Sequence, residues 1–120
     1  RKIAEVIAAN LRANDILVSP LTIGNHPDHV IVRRAAEQVG HPLCYYADIP
    51  YSIWYPEQLT EITENLEAET HLISKEELLI WQDGVSAYVS QLAVLFGGEE
   101  RMKNALHLYW QKVQGIRLFE

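Results

Sequence analysis

Asp15-Ile16-Leu17-Val18-Ser19-Pro20-Leu21-Thr22-Ile23-Gly24-Asn25-His26-Pro27-Asp28-His29-Val30 is the stretch that decides the fold of this chain. Residues 15–19 form a short apolar run of the kind found in a buried parallel strand, and residues 29–39 carry helical periodicity that Gly40 ends. A second apolar run at 43–47 completes a βαβ unit, whose right-handed crossover makes the two strands parallel. The loops after the two strands then open on one sheet edge, where open α/β sheets place ligands. Asp48 and Tyr51, in the second loop, thereby approach His26 and His29 in the first.

Two histidines three residues apart at a helix start can face the same way. One is suited to ligate a cation while the other meets a substrate oxygen or proton, with Asp28 orienting an imidazole. A catalytic zinc site takes about three protein ligands and an open position for water, so this tetrapeptide holds only part of one. The competing interpretation makes His26 no more than a helix-start residue, because Asn25 and Asp28 are themselves local caps.

Working outward, residues 1–13 are expected to form a helix through Ile3, Val6, Ile7 and Leu11. Residues 48–56 hold two prolines and an aromatic cluster, which predicts an ordered loop that either walls a cleft or covers the sheet edge. The 58–72 stretch predicts one more strand and a turn, its glutamates forming a solvated face. Ser74 with Glu77 reads as a capping box that opens a long amphipathic helix reaching Phe96. Gly97-Gly98 ends it, a further helix covers 99–114, and Gly115 releases a last strand.

The chain has 120 residues, 48% hydrophobic and 22% charged, which fits one globular α/β domain, residues 1–120. A net charge of -6 with scattered basic residues argues against a nucleic-acid partner. No apolar run is long enough for a membrane span and no signal peptide is visible, so a cytoplasmic location is expected. Cys44 is the single cysteine, which excludes an internal disulfide, and its apolar setting reads as a small buried hydrophobe. His41, His71 and His107 lie outside any ligand-spaced pattern. The start at Arg1, directly in a helix-like pattern, suggests that a preceding part is missing.

These residues resemble the LmbE-like, or N-acetylglucosaminyl-phosphatidylinositol de-N-acetylase, family of zinc-dependent deacetylases. His26-Pro27-Asp28-His29 matches its H-x-D-H motif, and Tyr46-Ala47-Asp48-Ile49-Pro50-Tyr51 looks like the strand and loop that follow it. Tyr88-Val89-Ser90-Gln91 is similar to its Y-x-S-Q stretch, and Gly115 to Glu120 to its closing strand. The resemblance implies a Rossmann-like layered sheet with parallel strands and hydrolysis of the N-acetyl amide of an amino sugar, assisted by Zn2+. It implies His29 as a metal ligand, His26 as the group that stabilises the oxyanion or protonates the amine, and Asp28 as the carboxylate that orients His26. Asp48 and Tyr51 are expected to border the substrate.

The family's H-P-D-D-E motif, which carries the other two zinc ligands and the general base, has no counterpart here. The expectation is therefore a C-terminal half of a larger deacetylase domain, inactive alone, its uncovered sheet edge favouring homo-oligomers. The alternative is a non-catalytic binding or interaction domain that keeps the fold without the first metal motif.

Overall fold

The computed structural model describes all 120 residues. Its elements run α1 (Lys2–Asn10), β1 (Leu17–Pro20), α2 (Pro27–Val39), β2 (Leu43–Tyr46), α3 (Tyr51–Trp54), α4 (Pro56–Ile62), β3 (Ala68–Leu72), α5 (Lys75–Ser86), α6 (Val89–Phe96), α7 (Glu99–Val113) and β4 (Gly115–Phe119). The four strands form one sheet in the order β1-β2-β4-β3. By its contacts the chain divides into two compact units, Arg1–Glu69 with Leu118–Glu120, and Thr70–Arg117, the boundary passing through β3 and β4.

In the first unit β1 and β2 pair in parallel, Leu17 opposite Leu43 and Pro20 opposite Tyr46, as the βαβ reading requires. Gly40 caps α2 at φ 71°, a left-handed conformation that glycine adopts without a Cβ penalty. The pairing departs from the expected sheet with parallel strands at β4, which runs antiparallel to β2 with Phe119 opposite Tyr45. The sheet is thus mixed. Leu21, Ile23, Ala47 and Phe119 form the buried centre, with Tyr45, Tyr51, Leu59, Ile62 and Leu66 packed around it. Leu21 and Ile23 come from the chain just past β1, so burying them fixes the start of the loop that leads to His26.

Three local expectations fail for identifiable reasons. The 48–56 segment is not simply a loop: Pro50 precedes a helical turn, α3, and Pro56 is the first residue of α4. Proline pre-sets φ at a helix start, where its missing N–H costs nothing, so these prolines open helices instead of barring them. The first half of the 58–72 stretch is therefore helical, and the strand expected there is confined to β3. Helix α1 also stops at Asn10, because Leu11 is extended and Asp15 Oδ2 accepts from the Arg12 amide at 2.8 Å in a turn.

The second unit is helical. Ser74 and Glu77 make the expected capping box, with contacts of 2.7 and 3.1 Å. The single helix expected from Ser74 to Phe96 is instead two, interrupted at Ala87 and Tyr88. Ser86 Oγ donates back to the Gln82 carbonyl at 2.8 Å, and Gly84 lies two residues before it, so helix propensity falls just there. Leu78, Leu92, Met102 and Leu106 are buried among α5, α6 and α7. The Trp110 indole donates to the Ile73 carbonyl at 2.9 Å.

Cys44 is buried and free. Burial pushes its thiol above the usual range, and the charges of Glu120 and Glu69 push the same way. Because the thiolate is the reactive form, a thiol reagent at pH 8 is expected to label the native chain at least about ten-fold more slowly than the urea-unfolded chain. Equal rates would show that Cys44 is accessible.

Candidate active site

The loop after β1 and the loop after β2 meet at one carboxylate. Asp48, whose side chain is 0% exposed, follows β2 directly. Its Oδ1 accepts from the Thr22 and Ile23 amides at 2.9 and 3.2 Å, and its Oδ2 meets His29 Nδ1 at 2.6 Å. Each Asp48 oxygen therefore has a donor, as a buried carboxylate needs. Thr22 pays for its amide contact with a φ of 74°, an outlier for a β-branched residue and the kind of strain that concentrates at functional sites.

Gly24 and Asn25 continue this turn at φ 82° and 55°. The Gly24 amide donates to Gln58 Oε1 at 3.0 Å, which ties the turn to α4. A Cβ on Gly24 would lie 2.6 Å from Tyr51 Cδ1, so glycine is required for conformation and for space. Gly24→Ala is expected to lower unfolding free energy by about 2–3 kcal/mol, combining left-handed strain with overpacking. Urea denaturation checks this, and a loss below about 0.5 kcal/mol would mean that Tyr51 moves aside freely.

His26 is the N-cap of α2, and its Nδ1 accepts from the Asp28 amide at 3.2 Å. A ring nitrogen that accepts has no proton, so the neutral His26 ring carries its hydrogen on Nε2. His29 has the opposite arrangement. Facing a carboxylate, which only accepts, its Nδ1 must donate, and that leaves Nε2 with a lone pair. The rings stand 5.0 Å apart between centroids, tilted by 38°. The site therefore presents one imidazole N–H donor beside one imidazole acceptor.

Tyr51 packs edge-on to His29 at 6.1 Å and to Trp54 at 5.6 Å, extending a row of rings away from the pair. Trp54 is half-exposed. Beneath, Arg33 donates to the Leu21 carbonyl and to Glu37, both at 2.8 Å, and lies over the Tyr45 ring. The Arg33 hydrogen bond lowers the Glu37 carboxyl against the opposing effect of burial, with the Tyr45 hydroxyl and the Arg33 charge assisting. This ion pair braces the strand end from which the site loop departs.

The structure thus brings together His26, His29, Asp48 and Tyr51. Two placements differ from expectation. Asp28 meets His26 through its backbone amide, while its carboxylate stands exposed in the first turn of α2, favourably placed for the helix dipole. Asp48 lies behind His29 with both oxygens engaged, because its burial closes it off from a cleft wall. Gln58 and Arg33 were not singled out in the sequence. The i, i+4 spacing of Arg33 and Glu37 was the visible signal for one, and nothing local marks the other.

Whether these residues fit a metal ion is decided by the donor set. His29 Nε2 is one well-prepared donor, backed by a carboxylate in the manner of metal-bound imidazoles. No group of three or more His, Cys, Asp or Glu side chains in the chain comes together to hold an ion. The 120 residues alone therefore do not fit a complete zinc site.

No known protein family's profile matches the chain, and no curated protein matches it. Among solved structures, the fold is similar to the zinc-inhibited form of teicoplanin deacetylase Orf2, with a TM-score of 0.77 and 21% identity. The match covers 98% of this chain and 49% of that one, so the chain spans about half the length of the deacetylase. The mixed α/β architecture described above is accordingly a deacetylase-like fold. No helix is long and apolar enough to cross a membrane.

Proposed function

We propose that this chain is the C-terminal part of a zinc-dependent N-deacetylase that hydrolyses the acetamide of an amino sugar or related conjugate. The observation that carries the reading is the imidazole pair with opposite Nε2 character, set at the carboxyl end of a parallel strand. The likeness to a deacetylase structure supports it at the level of fold.

His29 Nε2 is the ligand this chain contributes, and further donors come from residues outside these 120. Zinc held there would lower the pKa of a bound water to about 7 and polarise the carbonyl. The chain's own groups do the rest. The His26 Nε2–H donates to the carbonyl oxygen as water adds and charge gathers there, a contact worth most in the transition state. When the C–N bond breaks, acetate leaves and the departing amine takes up the proton given up by the attacking water, while the His26 Nε2–H stays on the oxygen. Asp48 holds His29 in the tautomer that exposes its lone pair, and the Asp28 amide holds His26 in the other. Tyr51 walls the site, the rest of a Rossmann-like domain being completed by the missing segment.

β1 is an edge strand and exposes Val18, with exposed Ile16 just before it, which suits packing against further polypeptide or a second copy of the chain. A second reading is a non-catalytic binding domain, favoured by the absence of a three-donor cluster. The two separate on one assay. The polypeptide extended to include any upstream coding sequence is loaded with zinc and incubated with N-acetylglucosamine conjugates. Release of acetate in step with free amine supports the deacetylase, whereas binding without release supports the second reading.

A further inference from the structure

We propose that the cleft between α5 and α7 binds a free α-amino acid with a polar side chain, its carboxylate on Arg101 and its ammonium on Glu100. The cleft measures about 700 Å³ and is lined by Gln82, Glu100, Arg101, Asn104 and His107. That volume lies within the range of small-molecule sites, and every lining side chain is polar. All five residues belong to the second unit, and the inference does not rest on the deacetylase reading.

The two charges at one end of the cleft lack partners. Glu99, Glu100 and Arg101 open α7, and neighbouring residues of a helix do not face each other, so Glu100 and Arg101 do not neutralise one another. Lys103, the cation within one turn of Glu100, is taken by Glu99 at 3.4 Å. Arg101 finds only Gly97, Gly98, Asn104 and Ala105 at the three- and four-residue spacings, and neither side chain forms an ion pair. The helix dipole favours a glutamate in a first turn but disfavours an arginine there. Arg101 nevertheless lies against Gly97, where an added Cβ would stand 3.1 Å from both its Cδ and its Nη1. A guanidinium held in this way is a fork for a carboxylate. A simple anion would also meet Glu100, and a simple cation would meet Arg101, so the ligand that suits both carries both charges.

The rest of the cleft sets the ligand's side chain. Gln82 is 7% exposed and its Nε2 donates to the Lys103 carbonyl at 2.8 Å, which fixes the carboxamide and leaves Oε1 as an acceptor. Asn104 both donates and accepts, and His107, its ring 6.0 Å from that of Trp110, closes the far end. Glu100, Asn104 and His107 stand at i, i+4 and i+7, which makes one stripe of α7 about 10 Å long. An amino acid with its charged end between Glu100 and Arg101 therefore extends its side chain along this stripe past Gln82. A side-chain carboxamide donates there to Gln82 Oε1 and pairs with Asn104, whereas an aliphatic side chain displaces water from both without replacing it.

The test is a titration of the ¹⁵N-labelled 120-residue chain with L-glutamine, L-leucine, N-acetyl-L-glutamine and L-glutaminamide, read by chemical shifts. L-glutamine is expected to move the Gln82 and Asn104 side-chain NH₂ groups and the His107 amide saturably. Blocking either ligand charge, by acetylating the amine or amidating the carboxylate, weakens binding by about five-fold or more, the loss of a hydrogen bond between charged groups. L-leucine also binds more weakly than L-glutamine. Glu100 and Arg101 are exposed, so Glu100→Gln and Arg101→Gln leave the remaining spectrum in place. Each variant erases one preference: Arg101→Gln binds L-glutaminamide as well as L-glutamine, and Glu100→Gln binds N-acetyl-L-glutamine as well as L-glutamine. The proposal is overturned by absent saturation up to about 50 mM L-glutamine, weaker than millimolar affinity. Equal binding of L-glutamine and either blocked form to the parent overturns it too, as does equal binding of L-leucine, or a variant that keeps both preferences.

Discussion

His29→Asn is expected to lower acetate release by about 100-fold or more while leaving the fold intact, which separates the chemistry of this residue from its structural part. The asparagine amide nitrogen falls close to where the imidazole Nδ1 stands, so it still donates to Asp48 Oδ2, now placed at 2.6 Å from the ring. What disappears is the ring's far edge, and with it the Nε2 lone pair. The size follows from the loss of a metal ligand, which costs at least as much as the about 10–100-fold seen when only an outer partner of a ligand is removed. His29→Ala is the contrasting variant, because it also strips a donor from a carboxylate with 0% exposure. A rate for His29→Asn within about three-fold of the parent, well short of the loss expected for a ligand, would remove His29 from the reaction. Thermal melting of both variants identifies any loss that comes from unfolding instead.

The same pair of residues shows how far the sequence could be read. The βαβ unit was visible because its signals are local: an apolar run, a helix period and Gly40 at the helix end. The facing of the two loops followed from crossover handedness, and it brought Asp48 and Tyr51 towards the histidines correctly. Which carboxylate serves which imidazole was not visible. Asp28 is next to His29 and two residues from His26, but an N-cap residue points its side chain back at the first-turn amides, so His26 takes the Asp28 N–H instead of its carboxylate. Asp48 is 19 residues from His29, and only tertiary packing could choose it.

The aromatic segment misled for a related reason. Pro50 and Pro56 were weighed as breakers, although a proline at a helix start and a proline that stops a helix look the same until the following residues are placed. Helix α4 then supplied Gln58, whose contact with Gly24 spans 34 residues. β4 was expected as a strand, but its antiparallel direction depends on the path through α5, α6 and α7, which periodicity does not encode.

Asp48→Ala is expected to be the most destabilising single change in the first unit, lowering unfolding free energy by about 3–5 kcal/mol, the usual range when one partner of a buried charged contact is removed. Three donors lose their acceptor at once: the Thr22 and Ile23 amides and His29 Nδ1–H. Ile23 is 1% exposed, so water does not readily replace the carboxylate at its amide. Thr22 also keeps its φ of 74° only because the contact holds it there, so its strain relaxes by rearranging the turn that carries Gly24, Asn25 and His26. Against a total of about 5–15 kcal/mol for a domain, such a loss leaves the chain marginal. Asp48→Asn distinguishes packing from polarity. Its amide oxygen still accepts from the turn, so stability falls less, but the amide nitrogen then donates towards His29 Nδ1 and forces the ring into the other tautomer, with its hydrogen on Nε2. Acetate release is therefore expected to drop by about 10–100-fold or more in a folded protein, as for other residues that orient a ligand imidazole. Urea denaturation and the ¹⁵N shifts of the His29 ring check the two parts separately. A Asp48→Ala variant within about 1 kcal/mol of the parent, below the range for such a contact, or an unchanged His29 tautomer in Asp48→Asn, would mean that the loop stands without Asp48 and that the imidazole is set by something else.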